Sequence, residues 1–318
     1  RGEDARARIN VLAELPREWE HQLKSWSRIN RSKKAKSKGF EVPDRNDEYF
    51  LYQTLLGAYP PDGRHDDEFV ARLKAYLIKA VREAKVHTEW LKPDEGYEKG
   101  FVDFAEAILL PQEGNRFLAE FVPFARSIAR CGMFHSLAQT LFKITAPGIP
   151  DSYQGTELWD LSFVDPDNRR PVDFAERRRV LADLKTAEAR NPVGLLADLL
   201  STWQDGRIKL YLTYKLLRFR RAHPELFADS EYIQLQARGE MGQRVCAFAR
   251  RANGSWVAAI APRLIGAPVF HGGAPLAEFW ASGAIALPAG APERWRDLIS
   301  GEQIEAGPEN LLPLAKVF

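Results

Sequence analysis

The sequence has little of several residue types, and each shortage excludes a class of site. Only two cysteines, Cys131 and Cys246, occur in 318 residues, and they have no metal-ligand spacing. Both lie among apolar neighbours, which predicts buried thiols in a reducing compartment, with a disulfide between them as the open alternative. The six histidines show no paired spacing either, so structural roles are expected for them. The sequence therefore predicts no metal centre and no cofactor.

Charge of one sign and long apolar runs are also scarce. Lys plus Arg number 45 against 43 Asp plus Glu, a formal net charge of +2, so no overall field favours nucleic acid or an anionic membrane. No run of about eighteen apolar residues is present to span a bilayer. The first residues are charged, unlike a signal peptide. An uncharged partner and a cytoplasmic location are expected.

The two ends of the chain are unusual for a complete protein. The chain begins without methionine inside a charged, helix-like segment, and it ends in a strand-like stretch, residues 312–318, with no polar tail. These features predict a piece of a longer protein, with most of the missing sequence on the amino-terminal side.

Polar and aromatic residues are concentrated in two segments, residues 147–159 and 164–173. Their Gly and Pro content predicts loop or strand end, and they carry a Tyr, a Gln, a Trp, five acids and two arginines. Carboxylates and amides hydrogen-bond to sugar hydroxyls, arginines hold the acids, and aromatic rings cover the apolar face of a pyranose. This mixture predicts a sugar-binding site. The alternative is a surface loop braced by Asp–Arg pairs.

Hydrophobic spacing divides the chain into a helical first half and a β-rich end. Helices are predicted over most of residues 1–141, interrupted by a basic loop at residues 31–38 that is more typical of a solvated loop than of a phosphate site. A β-prone run at residues 142–145 is typical of a barrel strand that leads into an active-site loop. Further helices are expected near residues 174–185 and 209–221, the first capped by Asp173. Strands are predicted at residues 231–236, 244–250, 255–262, 296–300 and 311–318.

Two motifs carry a family resemblance. The first motif runs from Gly148-Ile149-Pro150 through Tyr153-Gln154-Gly155-Thr156-Glu157. It resembles the eighth-strand segment of the α-amylase superfamily, glycoside hydrolase family 13. The continuation Val164-Asp165-Pro166-Asp167-Asn168-Arg169-Arg170-Pro171 resembles one branch, the malto-oligosyltrehalose synthases. Segments at residues 1–9, 43–49, 52–60 and 223–227 are similar to the same branch, so the resemblance covers nearly the whole chain.

The resemblance implies a fold and a division into domains. The implied fold is α+β and multidomain, with a helical subdomain, the last strand and helix units of a (β/α)8 barrel, and a C-terminal antiparallel β-sandwich. The expected parts are a barrel helix region at residues 1–30, a helical insertion at 31–141, the last barrel strand with substrate loop and helices at 142–222, and the sandwich at 223–318. Such a chain would be the carboxy-terminal portion of the enzyme.

The resemblance also implies a reaction. The family member would be an isomerase, a (1→4)-α-D-glucan 1-α-D-glucosylmutase, which converts the reducing-end α-1,4 bond of a malto-oligosaccharide into an α,α-1,1 bond and so forms maltooligosyl trehalose. The mechanism would be retaining, and the freed glucose rather than water would attack the glycosyl-enzyme. The family's catalytic carboxylates lie before residue 1, so no catalytic residue is assigned here. The implied partners are the malto-oligosaccharide and the remaining N-terminal barrel portion.

Nine residues are expected to position the substrate. They lie at the end of the barrel strand and on the loop after it: Tyr153, Gln154, Glu157, Trp159, Asp165, Asp167, Asn168, Arg169 and Arg170. Arg169 or Arg170 would keep Asp167, or a catalytic carboxylate from the missing part, ionised. Two alternatives stay open: Glu157 is a structural acid that caps Thr156 or an adjacent helix, and Trp159 merely fills the barrel mouth.

Two other function classes fit the same residues. One is a related α-glucan hydrolase or glucanotransferase of the superfamily, and the other is a glucan-binding module without chemistry. Ser152 lacks the Gly-x-Ser-x-Gly surroundings of a serine hydrolase nucleophile. Glu89 and Trp90 are placed to reach substrate as part of a lid, although surface charge and core packing more commonly explain such residues.

Overall fold

The computed structural model describes residues 1–272 and 277–318 and divides the chain into two compact units. The helical unit comprises Arg1–Gly132 and Leu161–Pro171. The mixed unit comprises Met133–Asp160 and Val172–Phe318. The predicted mixture of helices with antiparallel sheets is confirmed. Residues 161–171, although they follow the β-prone motif in sequence, pack with the helical unit.

Six helices dominate the first part of the chain, as the apolar spacing predicts. They are α1 Glu3–Val11, α2 Pro16–Asn30, α3 Arg45–Ala58, α4 Asp67–Ala84, α5 Glu95–Leu109 and α6 Arg116–Thr145. Three of them begin at an aspartate whose side chain accepts a hydrogen bond from the backbone N–H three residues later: Asp44 over 2.8 Å, Asp66 over 2.8 Å and Asp94 over 3.0 Å. Each cap satisfies one of the N–H groups that a helix start leaves unpaired.

An aromatic cluster forms the core of the helical unit. Trp26 of α2 is fully buried, and its ring makes edge contacts with Tyr52, Phe117, Phe121 and Phe124 at centroid distances of 5.5, 5.7, 5.3 and 5.7 Å. Edge-to-face contacts of this kind suit the ring quadrupoles, and burial of one such side chain contributes about 3 kcal/mol. The cluster joins α2, α3 and α6.

The basic stretch at residues 31–38 is not simply a solvated loop. Strands β1 Ala35–Ser37 and β2 Phe40–Val42 form an antiparallel hairpin there, with Ala35 opposite Val42. Lys38 and Gly39 make the turn with φ of 48° and 88°, the left-handed conformations that a tight hairpin turn requires. The sequence predicted a loop between helices here and did not predict this hairpin.

In the mixed unit, the predicted barrel strand at residues 142–145 is wrong, because α6 continues through Thr145. The Thr145 hydroxyl donates to the carbonyl of Leu141 over 2.7 Å, and the N–H of Ala146 donates to the carbonyl of Phe142 over 2.8 Å. A helix satisfies its own backbone groups, whereas a strand needs a paired neighbour. The continuing helix therefore overrides the local β propensity of residues 142–145.

Three more helices follow, α7 Phe174–Arg190, α8 Pro192–Ser201 and α9 Arg207–Ala222. The sequence predicted α7 and α9 but not α8. Asp173 caps α7 as expected, because its side chain accepts the N–H of Glu176 over 2.8 Å. The three helices share a core whose buried members are Val180, Leu184, Leu195, Leu199, Leu210 and Tyr211.

The rest of the mixed unit consists mainly of short antiparallel strands. They are β3 Glu231–Gln234, β4 Gln236–Arg238, β5 Val245–Ala252, β6 Ser255–Pro262, β7 Ala284–Ala286, β8 Arg294–Arg296, β9 Gln303–Glu305 and β10 Leu311–Pro313. The described strands form sheets in the orders β3-β5-β6 and β10-β7-β4 and a β8-β9 hairpin. Two short helices, α10 Gly266–Gly272 and α11 Leu314–Val317, accompany them.

The strand predictions at the two ends of this region need correction. The strand predicted at residues 296–300 ends at Arg296, because the Asp297 carboxylate accepts the N–H groups of Ile299 and Ser300 over 2.6 and 2.5 Å and so turns the chain. The strand predicted at residues 311–318 ends at Pro313 and becomes α11. By contrast, the prediction for β6 matches the observed bounds, with Asn253-Gly254 as its turn.

Two further findings concern the chain as a whole. Cys131 is buried and Cys246 is exposed, both as thiols, so the prediction that both are buried is wrong for Cys246. Within residues 1–272 and 277–318, no helix combines the length and apolar character needed to cross a membrane.

Candidate functional site

In the helical unit, Asp167 is the fixed point of the loop at residues 161–171. Its carboxylate accepts two hydrogen bonds from Arg72 of α4, from Nε over 2.7 Å and from Nη2 over 2.9 Å, and one from the N–H of Phe163 over 2.7 Å. Burial raises the pKa of Asp167, but these hydrogen bonds and the charges of Arg72 and Arg170 lower it by more. The carboxylate is therefore ionised and oriented.

The neighbours of Asp167 are more exposed. Arg169 forms an ion pair with Asp165, and their side chains are 71% and 41% exposed. Arg170 donates to Glu68 of α4 over 2.9 Å and to the carbonyl of Asp167 over 3.3 Å. The Oδ1 atom of Asn168 is buried and has no hydrogen-bond donor in the described part of the chain. The exposed groups of the loop are therefore the guanidinium groups of Arg169 and Arg170, which can donate to hydroxyl ligands.

Aromatic contacts with α4 also support this loop. Phe163 is 1% exposed and stacks on Tyr76 of α4, with ring centroids 5.1 Å apart and an interplanar angle of 9°. The Arg72 guanidinium lies 5.5 Å from the Phe163 ring centroid. Helix α4 thus holds the loop through one charged and one apolar contact.

In the mixed unit, the turn at residues 153–157 is held by α7. Arg177 donates from Nε to Glu157 over 3.0 Å and from Nη2 to the carbonyl of Gly155 over 2.9 Å. The Thr156 hydroxyl donates to the carbonyl of Tyr153 over 2.8 Å, so Glu157 does not cap Thr156. Tyr153 is 49% exposed and Gln154 is exposed as well. The turn presents these two side chains to solvent on a braced backbone.

Trp159 is anchored within the mixed unit. Its Nε1 donates to the carbonyl of Trp203 over 2.8 Å, and the Lys209 ammonium lies 5.9 Å from the ring centroid. Gly206 has φ of 79°, and a Cβ there would lie 3.0 Å from the backbone nitrogen of Trp159. The hydrogen bond to Trp203 holds the indole, and Trp159 is partly buried.

The nine predicted residues thus fall into two groups. Asp165, Asp167, Asn168, Arg169 and Arg170 lie in the helical unit, and Tyr153, Gln154, Glu157 and Trp159 lie in the mixed unit. The sequence missed the two arginines that organise them. Arg72 is 95 residues from Asp167, and Arg177 is 20 residues from Glu157, so no local motif joins either pair. Of the two arginines expected to keep Asp167 ionised, Arg170 does so, because its charge lowers the pKa of Asp167, whereas Arg169 pairs with Asp165.

The helical unit holds one cluster of possible cation ligands among the described residues. Ligand atoms of Asp44, Asp47 and His87 lie within 4.8 Å of one another. Asp44 caps α3 and lies 2.7 Å from His87 Nε2, while the Tyr97 hydroxyl donates to Asp47. Burial raises the pKa of Asp47. Because the carboxylates already have protein partners, the cluster is a hydrogen-bond network that joins the α4–α5 loop to α3.

A separate cavity of about 480 Å³ lies beside α7 and α8. Its lining residues are Asp183, Thr186, Ala187, Arg190, Asn191, Gly194, Leu195 and Asp198. None of the nine predicted residues lines it, and it has no aromatic side chain to stack on a sugar. It adds nothing to the candidate site.

The chain is similar to one group of known proteins. No family model matches it. Two Mycobacterium tuberculosis proteins, provisionally named maltooligosyl trehalose synthase, are 36% identical to it over 253 residues, which are 79% of this chain and 28% of theirs. The maltooligosyltrehalose synthase from Arthrobacter ramosus matches with a TM-score of 0.74 and 30% identity, over 99% of this chain and 35% of that one.

A second solved structure, of a maltooligosyl trehalose synthase, gives a TM-score of 0.70 and 31% identity over 95% of this chain and 36% of that chain. The chain spans 28% of the length of the curated relatives it matches. By sequence and by fold it is homologous to a part, about 35%, of the maltooligosyl trehalose synthases, which confirms the family resemblance of its sequence.

Proposed function

We propose that this chain is the carboxy-terminal, substrate-positioning portion of an intramolecular transglucosylase that forms maltooligosyl trehalose from malto-oligosaccharides. The observation that carries the proposal is the similarity to maltooligosyl trehalose synthases at 30% identity along 99% of this chain. The substrate would be the reducing end of an α-1,4-glucan. The covalent step would belong to carboxylates outside this sequence, so the chain by itself would be inactive.

The proposed role of the chain is to hold glucose while the glycosyl-enzyme forms and reacts. The exposed Tyr153 ring would cover an apolar sugar face, and Gln154 and Glu157 would hydrogen-bond its hydroxyls. In the helical unit, taken by itself, Arg169, Arg170 and Asn168 would bind hydroxyls of the glucan, with Asp167 as the anchor of their loop. Side chains on loops held in this way position a ligand at a smaller cost in entropy. Such positioning would let the freed glucose, rather than water, attack the anomeric carbon.

We also propose how the segments serve the complete enzyme. Helices within residues 1–30 and 142–222 would belong to the outer layer of a (β/α)8 barrel, and residues 31–141 would be a helical insertion. Residues 223–318 would form a β-sandwich from the two three-stranded sheets. The antiparallel pairing of both sheets is compatible with this arrangement. A cytoplasmic location stays a prediction.

The proposal is tested by incubating the full-length enzyme that contains this chain with maltohexaose. Reducing ends and free glucose are measured together. Loss of reducing ends without release of glucose is expected for the isomerase. A gain of reducing ends would instead identify the related hydrolase. Unchanged reducing ends with altered chain lengths would identify a glucanotransferase.

The non-catalytic alternative has its own readout. Calorimetric titration of maltohexaose into the full-length enzyme and into the 318-residue chain compares their affinities. The positioning role predicts weaker binding by the chain, because part of the sugar site would lie outside it. Equal affinity, together with no change in reducing ends, would favour a glucan-binding module.

A further inference from the structure

The loop between α4 and α5, residues 86–94, carries an exposed tryptophan. Trp90 is 53% exposed, and the apolar residues Leu91 and Val86 near it are 97% and 71% exposed. Core packing, the commoner reason for an aromatic residue in a helical region, therefore does not explain Trp90. Three exposed apolar side chains within six residues of one loop indicate a binding surface.

One face of the indole ring rests on a fixed charged group. The Arg82 guanidinium lies over the Trp90 ring, 5.0 Å from its centroid. Arg82 donates to Glu98 of α5 through Nε over 2.8 Å and through Nη2 over 2.7 Å. The hydrogen bond from Arg82 lowers the pKa of Glu98, which is therefore ionised. The ion pair and the cation–π contact hold the indole in one orientation.

The loop itself is fastened on both sides of Trp90. Thr88 is 3% exposed, donates to Glu98 over 2.5 Å and accepts the N–H of Asp94 over 2.8 Å. The His87 ring stacks on Tyr97 with centroids 4.2 Å apart. A loop held in this way has little conformational entropy left to lose on binding.

We propose that Trp90 is a stacking platform for one glucose unit of an α-1,4-glucan, in addition to the residues assigned at positions 153–170. The C–H face of a pyranose matches the exposed indole face. The choice of an α-glucan over other sugars rests on the function proposed above, whereas the stacking geometry stands on the contacts of Trp90 alone.

The test is calorimetric titration of the full-length enzyme that contains this chain with β-cyclodextrin, a closed ring of α-1,4-linked glucose units. Because it has no reducing end, it is not a substrate for the proposed isomerisation. Trp90→Ala is expected to weaken binding at least about tenfold, and Trp90→Phe, which keeps an aromatic face, by less than about threefold. Tyr232→Ala is the matched control, because Tyr232 of β3 is a similarly exposed aromatic residue, 51% exposed, that belongs to none of the segments assigned to the substrate. It is expected to leave the affinity unchanged.

Two results would overturn the proposal: equal affinity in the parent and in Trp90→Ala, or no binding by the parent. Thermal unfolding checks that the variants are folded, and Trp90→Leu repeats the test with an apolar but non-planar side chain should the alanine variant unfold. An enzyme that isomerises maltohexaose but does not bind β-cyclodextrin would contradict the platform alone. Binding without isomerisation would contradict only the proposed function.

Discussion

Arg72 and Asp167 are 95 residues apart in sequence and form a two-hydrogen-bond ion pair, with distances of 2.7 and 2.9 Å. Their side chains are 21% and 10% exposed, so water screens the pair only weakly. Through this pair, α4 fixes the loop that carries Arg169 and Arg170. The pair is the main structural reason for assigning this loop a positioning role.

Arg72→Met is expected to lower the free energy of unfolding by about 2 kcal/mol, because it leaves the Asp167 carboxylate largely buried without its main partner. Urea unfolding measures the change. Arg169→Ala is the control, since its ion pair with Asp165 is exposed, and a loss below about 0.5 kcal/mol is expected. Equal losses in the two variants would show that Arg72 does not anchor the loop.

The pKa of Asp167 also predicts a pH dependence. Its folded-state pKa lies below the ordinary value, so its contribution to stability is present above about pH 4 and is lost as pH falls through the folded-state pKa. The difference in unfolding free energy between the parent and Asp167→Asn should therefore be largest near neutral pH and shrink under acid. A constant difference between about pH 7 and pH 2.5 would contradict the assignment.

The Arg177 side chain is expected to matter more for binding than for folding. Arg177→Met removes the hydrogen bonds to Glu157 and Gly155, and it should weaken maltohexaose binding by the full-length enzyme about fivefold with a stability loss near 1 kcal/mol. Calorimetry and urea unfolding give the two quantities. Arg179→Met is the matched control, because on the same helix Arg179 pairs with Glu176 and Asp183 at the surface. Similar binding by both variants would remove the turn from the proposed site.

The two thiols should react very differently with a disulfide reagent such as Ellman's. Cys246 is exposed, whereas burial raises the pKa of Cys131 to about 12, so that its thiolate is scarce. One thiol per native chain is expected to react quickly and the second only after denaturation. Cys246→Ser should abolish the fast phase. A fast phase that survives in this variant would place Cys131 at the surface.

The sequence predicted those parts of the fold that are decided locally. The Asp173 cap, and the apolar repeats of the helices, predicted helix starts within a few residues because capping and amphipathicity act over one or two turns. The failure at residues 142–145 has the opposite cause. A short β-prone run is overruled when the preceding helix can continue and pair its backbone.

The partners of the candidate site residues were not predictable from the sequence. The two loops were selected by their composition, yet the residues that brace them, Arg72 and Arg177, lie on helices whose sequences show no sign of that role. The sequence did not predict the hydrogen bond between Asp44 and His87 for the same reason, since the two residues are 43 positions apart. Contacts between distant residues depend on how the helices pack, and a single sequence carries no local signal for them.

The most direct test of the central claim is the partition between isomerisation and hydrolysis in the full-length enzyme. Tyr153→Ala is expected to raise the ratio of free glucose to trehalose-ended product about fivefold, because a loosely held glucose escapes and water reacts in its place. Ile149→Ala, at a 95% exposed position before the same turn, should leave the ratio unchanged. An unchanged ratio and rate in Tyr153→Ala would contradict a substrate-positioning role for this chain.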